Sequence, residues 1–213
     1  MDFNLSEEHQ MIRKMVRDFA EKEIKPKAGE LDARAEFSPE LTRKMGELGL
    51  FGIYLPEQYG GYGMDYLAYI IAVEEIARID GSQAATLAAH NSLGIGPIFY
   101  YGTEAQKEKY LPHLTNGEGL WAFGLTEPEA GSDSRGTQTT AKLKRNEWVI
   151  NGSKIFITNA SAEMSLGVTV QAVTSVGKIK KEFSTFIVEK GTPGFTAREI
   201  HGKLMWRASD TST

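Results

Sequence analysis

The stretch FGLTEPEAGSDSRGTQTT, Phe123 to Thr140, passes from an apolar lead into hydroxyls and turn residues, with Arg135 its single basic residue. Pro128 sets a turn, Gly131 permits close backbone approach, and Thr126, Ser132 and Ser134 offer hydroxyls without charge. Such a ledge suits a ligand of carbonyls and ring nitrogens better than an anion. A second feature lies in EWVINGSKIFIT, where alternation puts Trp148, Ile150, Ile155 and Ile157 on one face. With that face in the core, Phe156 and Thr158 project from the opposite side beside Lys154, where an aromatic ring has no core of its own to enter. A flat ring would cover Phe156 while Thr158 bonds at its edge, and a flavin answers this description. Serine- and glycine-rich turns ordinarily just connect strands, and on residue types alone that plainer reading stands ahead of a ligand site.

Other candidate chemistry falls away. His9, His90, His113 and His201 show no ligand spacing, so no metal is expected. GIGPIF at Gly94 has only a fragment of a dinucleotide fingerprint and follows no convincing strand. Glu127 and Glu163 read as surface or turn carboxylates, and the lysine cluster GKIKKE, Gly177 to Glu182, as a solvated hairpin tip.

The elements that must position these residues change character near Gly119. Before it the chain reads helical. Ser6 is an N-cap, Glu7 and Glu8 fill a first turn, and Met11, Ile12, Met15, Val16 and Phe19 fall on one face expected to be buried. Ser38 and Pro39 start a helix carrying Leu41, Met45 and Leu48; QYGGYGMD delivers Asp65 as the cap of another, with Leu67, Ile70, Ile71 and Ile76. An alanine-rich segment, SQAATLAAHNSLGIG, follows, and Thr103 with Gln106 fits a capping box. After Gly119 come short β-branched and aromatic runs, WAFGLT, EWVI, KIFIT, GVTVQAV and STFIVE. Asn151-Gly152 reads as a two-residue hairpin turn, pairing Ile150 with Ser153, Trp148 with Ile155 and Glu147 with Phe156. The pattern predicts an α+β chain, with a helical domain over 1–119 and a β domain over 120–213.

The 213 residues are 41% hydrophobic, enough for a sizeable core. A formal charge of −4 gives no basic footprint for nucleic acid. Zero cysteines exclude a disulfide framework and any thiolate metal site. The acidic, polar start lacks the pattern of a secretory signal, and no apolar run is long enough to span a bilayer. The expectation is a soluble, cytoplasmic protein.

In order along the chain, PEQYGGYGMD, EEIARID, LTEPEAGSDS, NGSKIFITNA, STFIVEKGTPGF and KLMWRASDTST closely resemble the acyl-CoA dehydrogenase family. The resemblance implies an N-terminal helical domain, an antiparallel β-barrel-like middle domain, and FAD with its ring between the middle domain and a C-terminal helical bundle. By motif position it puts Phe123, Leu125, Thr126, Gly131 and Ser132 along the flavin and Phe156 and Thr158 at its ring, with Ser132 also near the acyl-CoA. The family often has tryptophan where Phe156 stands; phenylalanine keeps the stacking surface and loses the indole donor. The reaction implied is α,β-dehydrogenation of an acyl-CoA thioester to a trans-2-enoyl-CoA. A carboxylate takes the α-proton, the β-hydrogen leaves as hydride to flavin N5, an electron-transferring flavoprotein is the acceptor, and the enzyme is a homotetramer. The family's catalytic glutamate lies in the C-terminal domain. With Thr213 the last residue, the expectation is a fragment with no catalytic base of its own, inactive alone. The alternatives are a non-catalytic flavin- or acyl-CoA-binding module, or an acyl-CoA oxidase or flavin monooxygenase on the same scaffold.

Overall fold

The computed structural model describes residues 4–176 and 181–213; the expected hairpin tip at the lysine cluster falls mostly on 177–180, which lie outside them. Its first half is helical. α1 (Glu7–Phe19) runs through a π turn (Ala20–Ile24) into α2 (Lys25–Arg34), followed by α3 (Pro39–Glu47), α4 (Tyr66–Ala77) and α5 (Gly81–Ala89). A second π turn (His90–Ile95) leads into α6 (Gly96–Tyr101), and α7 (Glu104–Thr115) completes the set. The caps fall where the sequence predicts them: Ser6, Ser38 and Asp65 accept from backbone amides three residues on, and Thr103 and Gln106 form a reciprocal capping box. Among the described residues no helix is long and apolar enough to cross a membrane.

The buried face of α1 is narrower than its apolar spacing suggests. Ile12 and Val16 are buried, whereas Met11 is 72% exposed. On α4 the same split separates buried Ile71 and Ile76 from exposed Leu67 and Ile70. The two helices are joined by Glu75, whose buried carboxylate accepts two bonds from the Arg17 guanidinium, at 2.8 and 2.7 Å, and one from Arg78 at 3.2 Å. The hydrogen bonds from Arg17 hold Glu75 below the usual carboxylate range despite its burial.

The second half is a mixed sheet of β1 (Leu120–Gly124), β2 (Thr140–Lys144), β3 (Glu147–Asn151), β5 (Ser165–Val176) and β6 (Lys181–Glu189). A two-residue ladder joins β4 (Ile157–Thr158) to β7 (Thr211–Ser212). The long strand β5 carries β6 antiparallel on one edge. On its other edge lie β1, and further along the start of β2, both parallel. The chain is α+β as expected, but among the described residues the sheet is neither all-antiparallel nor a closed barrel, which corrects the antiparallel, barrel-like form expected for this half. Alternation of apolar residues cannot distinguish the two directions, and the long connection from β1 to β5 leaves room for the crossover that parallel pairing needs.

The expected Asn151-Gly152 hairpin is also overturned. β3 pairs instead with β2, Ile150 opposite Ala141 and Trp148 opposite Leu143, about a tight turn at Arg145-Asn146. Trp148 is consequently half-exposed, against Phe186 at 5.2 Å. Gly152 is glycine for another reason: a Cβ there would stand 2.2 Å from the Thr139 hydroxyl.

The halves share one core. Leu120, Trp121, Ala162 and Met164 pack with Leu87, Ile95, Leu111 and Leu114. Trp121 is fully enclosed; a Cβ on Gly94 would collide with its carbonyl and one on Gly167 with its indole. The Gly94 of GIGPIF thus serves close packing rather than a phosphate. At the same seam sits His90, wholly buried on the second π turn. Its Nδ1 accepts from the Trp121 amide at 3.1 Å, which leaves Nε2 as the protonated nitrogen donating to the Leu114 carbonyl at 2.8 Å.

Burial lowers His90 from its ordinary 6.5 to about 4, and a second ring proton would point at an amide hydrogen. Because the folded value lies below the unfolded one, its contribution to stability is complete above pH 6.5 and is lost as pH falls toward about 4. In urea titrations across that range we expect the protein to lose up to roughly 3 kcal/mol more than its His90→Gln variant, whose amide can keep both bonds without titrating. Parallel stability curves for the two would contradict this.

Candidate functional site: a ledge strapped to an exposed aromatic

β1 ends at Gly124 and the chain continues through Leu125, Thr126 and Glu127, passing alongside the segment Lys154 to Phe156 that leads into β4. Three bonds strap the two together. The Ile155 amide donates to the Thr126 carbonyl at 2.9 Å, and Lys154 Nζ donates both to the Leu125 carbonyl at 2.9 Å and to Glu127 Oε1 at 2.7 Å. The alkyl stem of Lys154 lies over Gly124, where a Cβ would already be 3.3 Å from Lys154 Cγ.

Glu127 is not the surface carboxylate its sequence context suggests. It is only 5% exposed, and besides Lys154 it accepts from the amides of Gln138 at 2.7 Å and Thr139 at 3.1 Å. Burial alone would raise its pKa, but these donors outweigh burial and hold it near 2. Burial lowers Lys154, yet with Glu127 fixed as a carboxylate by two further amides the pair stands as ions. The partners are remote in sequence, so no local signal marks them. Glu163 is exposed, in keeping with its sequence reading.

Beyond Glu127, reciprocal backbone bonds between Glu127 and Ala130, at 3.0 and 3.1 Å, close the turn at Pro128-Glu129. Gly131 and Ser132 then stand exposed, and a Cβ built on Gly131 would meet nothing within 4 Å. This chain's own packing does not require a glycine there. Phe123, Leu125 and Thr126 are half-buried along the ledge.

On the other side of the strap, Phe156 has φ +61° and is 64% exposed, an unusual combination for a large aromatic. Ile157 turns into the core and Thr158 is half-buried, as alternation requires. Asn159, also at positive φ (+69°), is buried and donates from Nδ2 to the Thr86 carbonyl of α5 at 3.3 Å. Asp210 anchors the following residues, accepting from the Ser161 amide at 2.9 Å and from its hydroxyl. The fold thus brings Phe123, Leu125 and Thr126 beside Phe156 and Thr158, while Gly131 and Ser132 occupy the exposed turn beyond. Sequence reasoning missed Lys154, Glu127, Asn159 and Asp210 as supports. An aromatic face with hydroxyls and backbone beside it suits a planar heterocycle.

Comparison with known proteins agrees with this architecture. The family model for the acyl-CoA dehydrogenase N-terminal domain matches residues 6–118, and that for the middle domain matches residues 122–213. A short-chain-specific acyl-CoA dehydrogenase of Clostridium acetobutylicum is 48% identical over 212 residues, covering 100% of this chain and 55% of its own. The solved butyryl-CoA dehydrogenase of Megasphaera elsdenii superposes with a TM-score of 0.93 at 44% identity, covering 100% of this chain and 56% of that one. A glutaryl-CoA dehydrogenase of Mycobacterium smegmatis, solved in complex with FADH2, gives a TM-score of 0.91 at 36% identity over 98% of this chain and 52% of its own. The chain spans about half the length of these relatives. With both of its halves matched by that family's domain models and nearly half its residues identical to a relative's, the chain belongs to the acyl-CoA dehydrogenase family.

Proposed function

We propose that this protein works as an FAD-dependent acyl-CoA dehydrogenase, its flavin ring lying on Phe156 with Thr158 and Thr126 at the ring's edge. The observation that carries the reading is Phe156 itself, held outward at positive φ and exposed beside the half-buried Leu125 and Thr126. Backbone strain of this kind persists where the surroundings over-determine it, and it concentrates at ligand sites. Phe123 and Leu125 supply apolar surface along the same edge, and Gly131 and Ser132 extend the ledge toward the rest of the cofactor and the thioester. The FADH2-bound relative supports the choice of cofactor.

The bound flavin supplies the two-electron acceptor for the β-hydrogen. Phe156 offers the surface that orients the ring, and Thr158 a hydroxyl that bonds its edge. Removing an α C–H proton needs a carboxylate free to accept it. Glu127 is not free, since Lys154 and two amides already occupy it. By family resemblance the base lies in the part of the relatives that this chain does not align with, the acceptor is an electron-transferring flavoprotein, and the assembly is a homotetramer.

Three outcomes test the reading. In the natural gene product, Thr158→Val is expected to raise the FAD dissociation constant roughly fivefold and to shift the visible flavin spectrum, as loss of one ring-edge hydrogen bond would; unchanged affinity and spectrum would remove Thr158 from the site. On α5, Ala85, Ala88 and Ala89 are only half-buried, leaving a lining of small side chains. Ala89→Leu should shift preference toward shorter acyl chains, whereas lower thermal stability with the same preference would mark the alanines as packing residues. Finally, the 213-residue chain assayed alone with FAD and an artificial acceptor should show no turnover, a general base alone being worth about 10²- to 10⁴-fold. Steady turnover would place the base within these residues.

A further inference from the structure

The strap between the ledge and the aromatic segment is built around one buried ion pair. Glu127 accepts from the Gln138 and Thr139 amides, just before β2, and from Lys154; Lys154 donates to Glu127 and the Leu125 carbonyl. Neither side chain reaches solvent to any extent: Lys154 is 10% exposed and Glu127 5%. Two charges buried this far are costly to desolvate, and a pair of apolar side chains would hold the same space at less expense. What the pair adds is direction. Each ion can be satisfied only by several donors or acceptors in one geometry, so it fixes Leu125 to Glu127, Gln138 to Thr139 and Lys154 to Ile155 in a single relative placement.

The geometry points to Glu127 and Lys154 as positioning residues that hold the Thr126 ledge in register with Phe156, so that the flavin-facing atoms are arranged before the cofactor arrives. This rests on the flavin reading above but is separable from it, because the strap has its own readout. Preorganised contacts bind more tightly since their ordering is not charged to the binding step.

The test uses the natural gene product with Lys154→Met, Lys154→Arg and the double variant Glu127→Gln/Lys154→Met. Amide hydrogen exchange is followed at Ile155, Gln138 and Thr139, the three amides the strap engages, beside FAD titration and the visible flavin spectrum. Lys154→Met should speed exchange at these amides and weaken FAD binding by about tenfold or more, with a broadened flavin band. Lys154→Arg, which keeps the cation, should recover much of both. The double variant leaves no lone buried charge and should keep its melting temperature while still showing faster exchange and weaker FAD binding, a combination that a merely structural pair would not produce. Unchanged exchange at the three amides in Lys154→Met and in the double variant overturns the strap even if flavin binds normally. Faster exchange with unaltered FAD affinity and spectrum overturns the positioning role. A parent protein that takes up no FAD would sink the flavin reading, and with it the cofactor half of this proposal, whatever the exchange data show.

Discussion

A neutral imidazole at the seam between helices and sheet is the constraint on which the rest of the molecule depends. His90 accepts from Trp121 and donates to Leu114, so one ring ties the second π turn, the end of α7 and the second residue of β1. With Trp121 pinned there, packed against Gly94 and Gly167 and bonded from its indole nitrogen to the Thr169 hydroxyl at 3.0 Å, β1 has one position against β5. The ledge begins where β1 ends. Its placement relative to the helical half is thus inherited from a buried, hydrogen-bonded histidine. The π turn at this point is the kind of local helix irregularity that often marks a functional region.

Two buried carboxylates do comparable work in the two halves. Glu75 gathers arginines to join α1 to α4, and Glu127 gathers a lysine and two amides to join the ledge to the segment before β4. Neither arrangement is an efficient source of stability, since desolvating the ions offsets much of their attraction. Both instead narrow the number of ways in which elements distant in sequence can meet. That restriction matters most at Phe156, where a ring held outward is of use only if the atoms around it are equally well placed.

The surface proposed to face the flavin combines rigidity and openness. Ile157, Asn159 and Ala160 are buried, and the Ser212 hydroxyl donates to the Ile157 carbonyl at 2.9 Å, so the backbone on either side of Thr158 is tied down. Phe156 and the turn at Gly131-Ser132 are left free of side-chain cover. A rigid scaffold that presents uncovered aromatic and hydroxyl groups is what a cofactor site asks of a β domain, because catalysis gains from geometry set in advance.

How much of this was legible in the sequence depended on how local the cause was. The helix caps, the capping box at Thr103 and Gln106 and the change of period near Gly119 all follow from neighbouring residues and were read from them. Alternation also pointed Phe156 outward beside an inward Ile157, but Phe156 precedes β4 and owes its exposure to a left-handed backbone that the sequence did not announce. The partner of β3 was not legible, because Gly152 looks like a turn glycine until Thr139 is seen lying against it. The direction of β1 on β5, the exposure of Met11 and Leu67 beside their buried neighbours, and the burial of Glu127 were likewise decided in three dimensions. Each is a relation between segments far apart in the chain, and residue type and spacing carry no record of which distant segment a side chain will meet. By itself the sequence determined the helical half with its caps and the change of period that follows it; the tertiary structure decided which strands pair and which distant side chains lie side by side.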